Sequence, residues 1–342
     1  MGRGRFSRGG AVLSLVFAVL VGLLATVTTV LVSSSTPTSA GPEPTAPASS
    51  GAGEAAAEIR LTSGEPISPR SQDEAPEPTT TTPVLPGRCL DDGDTLPSRP
   101  GACALTSYGK KRPTVVVWGD SHAWQQLPAL RAQAERTRTN LVAFVMGACP
   151  PMDLRSLGYR GLCVRQTEKA LAFIGKRVQR ERPVKVVLGG FWELYRDYDA
   201  RGAAGWEPTD AHDRFLLTRA EMFAAGGGRL FRVLGRRQVA TAAIAQAPWV
   251  SESAPACAAG EQPYACDLPR TTAIPDEAET AQWVQDQLGR IRVSGYIDTS
   301  RFVCDASVCH PSLDGQPVYL DELHLDPAVT ASFAPEYRDL FR

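Results

Sequence analysis

From Arg88 onward the chain predicts an α/β fold, a three-layer sandwich with helices on both faces of a central parallel sheet, preceded by one transmembrane helix and a disordered linker. Three observations carry this. Apolar runs of strand length alternate with amphipathic helical stretches, the pattern of βαβ units. The first such run, Val115-Val116-Val117-Trp118, enters a Gly119-Asp120-Ser121-His122 turn of the kind that ends a buried strand. About 255 residues remain after Arg88, a length that suits one α/β domain.

Residues 1–10 read as a short cytoplasmic tail. Residues 11–32 contain no charged side chain, and at about 1.5 Å per residue a helix over them covers a hydrocarbon core of roughly 30 Å. Arg3, Arg5 and Arg8 precede the run without an acidic residue, which places the N-terminus in the cytoplasm and everything after Val32 outside it. The alternative is a cleaved signal peptide, with Thr38-Ser39-Ala40 as a small-residue cleavage site. The length of the run favours a retained anchor. Residues 33–87 are rich in Pro, Thr, Ala, Ser and Glu and poor in large apolar residues, so burial cannot offset the entropy of ordering them, and a disordered linker is expected.

Within residues 88–342 the expected strands are Thr114 to Trp118, Leu141 to Met146, Val184 to Gly190, Val239 to Ala247 and Val293 to Ile297. Expected helices are Ala123 to Arg138, Arg165 to Glu181, part of His212 to Arg236, Glu277 to Arg290 and Pro327 to Leu340, with a loop at Gly226-Gly227-Gly228. All eight cysteines follow the apolar run, an even number on the outer side of a membrane, which suggests disulfides. Spacing groups them as Cys89 with Cys103, Cys149 with Cys163, Cys257 with Cys266 and Cys304 with Cys309. The rival reading is a metal site at Cys304, Cys309 and His310, but no C-x-x-C spacing supports it. No motif implies a metal or an organic cofactor. A formal net charge of -1 offers no global basic field for nucleic acid.

The residues that carry chemistry are Ser121, Asp321 and His324. In an open parallel sheet ligands bind beyond the carboxyl ends of the strands, where the Gly-Asp-Ser-His turn lies. A neutral serine needs a base, and the chain has four histidines. His122 adjoins the serine and is expected to point elsewhere, His212 lies in a polar stretch, and His310 is crowded against Cys309. His324 remains, with Asp321 three residues before it to hold the ring in its useful tautomer. Each piece has a plainer reading: Ser121 as a helix N-cap, and Asp321 with His324 as a solvated acidic turn. Their joint occurrence in the order Ser, Asp, His favours a triad. Of the aromatic residues Trp124, Trp192, Tyr195, Trp206 and Trp249, most are expected to pack the core, while Trp192 and Tyr195 are expected at a strand's carboxyl end beside Arg196 and Asp197.

These segments resemble the SGNH (GDSL-like) hydrolases, and more closely the SGNH domains fused to acyltransferase-3 membrane proteins that O-acetylate cell-surface polysaccharides. The resemblance rests on Val-Trp-Gly-Asp-Ser-His-Ala (117–123), Ala-Cys-Pro-Pro (148–151), Val-Val-Leu-Gly-Gly-Phe-Trp-Glu-Leu-Tyr (186–195), the Cys304 and Cys309 couple, and Val-Tyr-Leu-Asp-Glu-Leu-His-Leu (318–325). It implies an SGNH-hydrolase, flavodoxin-like sheet with Ser121 as nucleophile, His324 as base and Asp321 as its orienting acid. The wider family completes its oxyanion hole with a Gly and an Asn. No Gly-x-Asn-Asp segment is present here, and the third strand instead ends in Gly189-Gly190-Phe191-Trp192. Gly189, Gly190, Trp192 and Tyr195 are therefore the expected oxyanion or substrate-binding residues.

The expected function is an extracytoplasmic serine O-acyl, chiefly acetyl, esterase or transferase acting on an envelope polysaccharide through an acyl-enzyme. With a single apolar span, a transferase would draw its acyl group from a separate multi-span membrane partner. The competing class is a non-catalytic glycan-binding or scaffold protein that keeps the fold.

Overall fold

Every residue of strand β2 (Thr114–Gly119) is buried, which is why Val115 to Trp118 are apolar on both faces of the sheet while Thr114 is hydrogen-bonded. Val115 and Val117 face one core, with Ala129 and Leu130 of a flanking helix and with Phe333 and Tyr337. Val116 and Trp118 face the other, with Leu171, Ile174, Leu230 and Val284. The architecture is a computed structural model that describes residues 89, 97, 99–153, 155, 161–180, 183–196, 219–251, 253–261, 263–274 and 277–342, all within the unit Glu54–Arg342. The expected membrane helix at 11–32 and linker at 33–87 lie outside these residues. No helix among the described residues is long and apolar enough to cross a membrane.

The sheet contains β1 (Cys103–Ala104), β2, β3 (Asn140–Val145), β4 (Val184–Gly189), β5 (Ala240–Ile244) and β7 (Ser294–Ile297), in the order β1-β3-β2-β4-β5-β7. Only β1 runs antiparallel to its neighbour; the other pairs are parallel. β6 (Leu268–Pro269) pairs with β8 (Val308–Cys309), and β9 (Ser312–Leu313) with β10 (Gln316–Pro317), as two small antiparallel ribbons. The strand order reverses at β2, so the crevice between the carboxyl ends of β2 and β4 is the topological switch point. At the opposite edge Arg177 donates to Thr114 Oγ1 at 2.7 Å, to the Arg112 carbonyl at 3.1 Å and to Tyr108 Oη at 2.6 Å, which anchors the start of β2.

Helices α1 (Ser121–Trp124) and α2 (Leu127–Arg136) follow β2, so the single helix expected from Ala123 to Arg138 is divided, with Pro128 opening the second part. α3 (Leu162–Gln179), α4 (Trp192–Arg196), α5 (Arg219–Arg236) and α6 (Glu277–Leu288) complete the main helices. The loop expected at Gly226-Gly227-Gly228 is instead the middle of α5. These glycines serve packing: a Cβ on Gly227 would lie 2.9 Å from the Trp283 ring of α6. Tertiary contact there outweighs the roughly 1 kcal/mol that each glycine costs in a helix. The C-terminal helix expected from Pro327 to Leu340 is one α-turn, Pro327–Thr330, followed by 3-10 helix over Ala331–Phe341, because Pro335 cannot donate to an α-helical ladder. His212 and Trp206 fall outside the described residues.

The four disulfides join Cys89 to Cys103, Cys149 to Cys163, Cys257 to Cys266 and Cys304 to Cys309, the neighbour pairing read from spacing. The Cys304 and Cys309 thiols are thereby consumed, and His310 Nδ1 lies 3.0 Å from Asp267 Oδ2.

The tightest approach in the sheet is at its centre. A Cβ on Gly119 would lie 1.7 Å from the Gly189 carbonyl oxygen and 2.8 Å from Ala123 Cβ, and neither neighbour can move without shifting a strand or a helix. Gly119→Ala is expected to destabilise the fold by about 3 kcal/mol or more, as read from the denaturant midpoint with the disulfides intact. A loss below about 1 kcal/mol would show that β2 and β4 separate more easily than this packing implies.

Candidate active site

Three segments meet at the switch point: the β2–α1 turn, the β4–α4 turn and the loop before the last helical segment. Asp120 joins the first two. Its side chain is 1% exposed and caps α1 through Oδ1, which accepts the His122 N–H at 2.8 Å. Its Oδ2 accepts the Phe191 N–H at 3.0 Å and the Tyr195 O–H. Burial pushes this carboxyl up from its ordinary range, against the pull of the Tyr195, Phe191 and His122 donors. Burial, together with the Asp120 charge and hydrogen bond, likewise holds the Tyr195 phenol well above its ordinary value. Because Asp120 caps the helix, Ser121 does not: the serine is the first residue of α1 and is partly exposed.

The third segment supplies Asp321 and His324. The His324 Nδ1 lies 2.8 Å from Asp321 Oδ2 and 3.0 Å from Oδ1, while Oδ1 also accepts the Leu323 and His324 N–H groups at 2.8 and 2.7 Å. Partial burial opposes the Asp321 charge, but the His324 side chain and these two amides outweigh it and hold the carboxyl at about 2. The loop closes on itself where Leu320 N–H donates to the His324 carbonyl at 2.8 Å. It is tied to the segment carrying Ser121 by Leu325 N–H donating to Gln125 Oε1 at 2.6 Å and by Thr330 Oγ1 donating to the Gln125 carbonyl at 2.6 Å. Residues two hundred positions apart are thus hydrogen-bonded directly.

The structure brings the Asp321–His324 pair against the start of α1, as the order Ser, Asp, His anticipates. It does not join all three by hydrogen bonds. His324 Nε2 is buried and has no hydrogen-bond partner among the described residues, so the Ser121 Oγ contact is unmade in this state. Catalytic hydrogen bonds in free sites are often long and tighten on binding.

His122 departs from its expected orientation. Its ring stacks on Phe191 with centroids 4.5 Å apart and lies 5.2 Å from the His324 ring. Phe191 in turn meets Trp249 edge-on at 5.4 Å. Phe191 and His122 therefore line the candidate site beside His324, although neither was among the residues expected to bind or react.

Trp192 and Tyr195 do not form a substrate platform. Trp192 is 0% exposed and its indole N–H donates to the Ile244 carbonyl at 2.6 Å, while Tyr195 is 2% exposed and spends its hydroxyl on Asp120. Both rings were expected at the mouth because they follow a strand's carboxyl end, but α4 turns them under it. Gly189 and Gly190 do line the close approach: a Cβ on Gly189 would lie 2.9 Å from Ala123, and one on Gly190 3.2 Å from Pro151 and 3.6 Å from Asp120 Oδ2. Arg196 pairs with Glu279 at 2.9 Å and donates to Thr280 at 3.0 Å, as a structural link to α6, and Asp197 lies outside the described residues.

The site is thus a Gly-Asp-Ser turn and a returning Asp–His pair at the switch point of a parallel α/β sheet. The model of the SGNH domain, described as fused to AT3 domains, matches residues 88–339, and the chain belongs to this family. Among solved structures it is similar to the lipopolysaccharide acetyltransferase periplasmic domain of Salmonella ser. Paratyphi A, with 14% identity, 66% of this chain and 82% of that chain covered and a TM-score of 0.44. A search of curated proteins returns no match.

Two predictions follow from the hydrogen bonds. Tyr195→Phe removes one of three donors to a buried carboxyl and is expected to cost about 1–3 kcal/mol in denaturant unfolding, whereas no loss would mean that Asp120 carries no such dependence. Asp321 sits at about 2 when folded, below the ordinary aspartate value of about 3.9. Its ionised form therefore adds stability that is complete above about pH 4 and disappears as the pH falls through about 2. Unfolding measured against pH should show a shallower acid-side decline in Asp321→Asn than in the wild type, and parallel curves would contradict the assignment.

Proposed function

We propose that this protein is an extracytoplasmic serine O-acyl esterase or transferase, acting on acetyl groups of an envelope carbohydrate, with Ser121 as nucleophile, His324 as base and Asp321 as its orienting acid. The observation that carries the reading is the Asp321–His324 pair held against the start of α1. Asp321 engages Nδ1, which leaves Nε2 as the nitrogen facing the serine's chemistry. The family, whose members are described as fused to AT3 domains, supports the acyl group, and the carbohydrate is what the resemblance to the polysaccharide-acetylating members implies.

In this mechanism Ser121 Oγ attacks the ester carbonyl and its proton passes to His324 Nε2. The new imidazolium is stabilised by the Asp321 carboxylate, which stays ionised. The carbonyl oxygen takes up the displaced electron pair and faces the Ser121 N–H, a helix-start amide without an intrahelical acceptor. The glycine amides at Gly189 and Gly190 are the nearby backbone candidates to share that charge. Collapse returns the proton to the leaving alcohol oxygen and leaves an acyl-Ser121 ester. Water then gives an esterase, and a sugar hydroxyl gives a transferase; His324 deprotonates either one. In the transferase case the acyl group comes from an AT3-type membrane protein. The membrane helix at 11–32 and the linker at 33–87 complete the proposed layout, with the domain from residue 88 on the outer side.

A serine-reactive fluorophosphonate tests this on the full chain in detergent. Labelling should be abolished in Ser121→Ala, and release or transfer of acetyl from an O-acetylated glycan should fall by roughly 10⁴-fold or more. A wild type that binds such a glycan but neither labels nor turns it over is the non-catalytic scaffold, and the enzyme reading ends there.

A further inference from the structure

His122 is 3% exposed, and neither ring nitrogen has a hydrogen-bond partner among the described residues. Buried polar side chains are nearly always paired, so an imidazole left without partners in the wall of a site points to a partner that arrives with the ligand. Packing alone does not explain the residue: a phenylalanine would fill the same stack on Phe191 without any unsatisfied nitrogen. The orphaned nitrogens of His122 and the orphaned Nε2 of His324 belong to two rings whose centroids are 5.2 Å apart, next to Ser121. Burial, and then the neighbouring His324, push the His122 value well below its ordinary range, so the ring is neutral and offers one N–H donor and one acceptor.

The segment after β4 shows what this donor replaces. No Asn or Gln side chain follows the glycines, the Trp192 indole N–H is spent on the Ile244 carbonyl and the Arg196 guanidinium on Thr280 and Glu279. Phe191 stands beside Trp192 and presents its ring as the surface on which the imidazole rests. We propose that His122 is a further catalytic residue, whose ring N–H donates to the carbonyl oxygen of the acyl ester as Ser121 attacks it. No bond to His122 forms or breaks. The ring keeps its proton, and the hydrogen bond strengthens as the carbonyl oxygen receives the displaced electron pair. The ligand class is a carbohydrate O-acyl ester, and the inference rests on the serine mechanism proposed above.

The test uses His122→Phe, which keeps a ring on Phe191 but has no nitrogen, and His122→Gln, which restores an N–H donor without the ring. With a small acetyl ester such as 4-nitrophenyl acetate, His122→Phe should lose about 10²–10³-fold, mainly in kcat, while its melting temperature stays at or above that of the wild type, and His122→Gln should recover part of the loss. Turnover of His122→Phe equal to the wild type overturns the proposal, as does an equal loss in both variants. A measurement on the unmutated chain stands independently of their folding. When a phosphonate forms its tetrahedral adduct on Ser121, the His122 ring N–H signal in nitrogen-15 NMR should move downfield and exchange more slowly with water. An adduct that leaves that signal unchanged refutes the role of His122, whereas failure to form any adduct refutes the serine mechanism itself.

Discussion

The site depends on one buried carboxyl. Asp120 accepts from the His122 amide, the Phe191 amide and the Tyr195 hydroxyl, so a single side chain fixes where α1 begins, where β4 ends and how α4 is rotated. Placing an acid at 1% exposure opposes its charge, and three donors on two oxygens offset only part of that cost. The arrangement is directional as well as strong. Because Oδ1 is used as the helix cap, the serine hydroxyl is spared that duty, and the N-cap reading that competes for Ser121 belongs to its neighbour. Asp120 thereby relieves the adjacent serine of the capping role.

The same economy governs the backbone. Gly119, Gly189 and Ala123 form a contact in which two strand ends and a helix start approach so closely that even a methyl group on either glycine would clash. That closeness brings the Asp120 carboxyl within reach of the Phe191 amide, since the hydrogen bond spans the two neighbouring strand ends. Gly227 against Trp283 repeats the principle on the outer layer, where a glycine inside α5 lets the ring of α6 seat on the helix backbone. In both places the missing Cβ serves packing.

Much of this was legible in the chain because its causes are local. Parallel strands buried on both faces give unbroken runs such as Val115 to Trp118, and neighbour pairing of cysteines 5 to 14 residues apart requires only a short loop. Asp321 and His324 were legible for the same reason, being three residues apart in a turn that hydrogen-bonds to itself. What the sequence concealed depends on rotation about an axis. Trp192 and Tyr195 follow a strand's carboxyl end, which is a site position by sequence, yet α4 directs both inward and Ile244 and Asp120 consume their polar atoms. Conversely, His122 was read as facing away because it adjoins the nucleophile, although a helical step of about 100° suffices to lay its ring between Phe191 and His324. Three glycines in a row read as a loop because helix propensity is local, while the contact with Trp283 that overrides it comes from more than fifty residues away.

The two halves of the candidate site differ in how far they are assembled. The acid and imidazole are already in register: Asp321 is gripped by two amides and the ring, Tyr319 bridges to Leu325 across the loop, and Gln125 clamps that loop to the helix carrying Ser121. Moving His324 toward the serine would break several of these bonds at once, each worth about 1 kcal/mol. Rotating the serine hydroxyl is an exchange between staggered rotamers of a small, partly exposed side chain, and breaks none of the loop's bonds. In the proposed mechanism the Ser121–His324 hydrogen bond would therefore form at least cost from the serine's side. Under that mechanism, selection of the rotamer would fall to the ligand above Ser121, and substrate seating would be coupled to activation of the serine without movement of the scaffold.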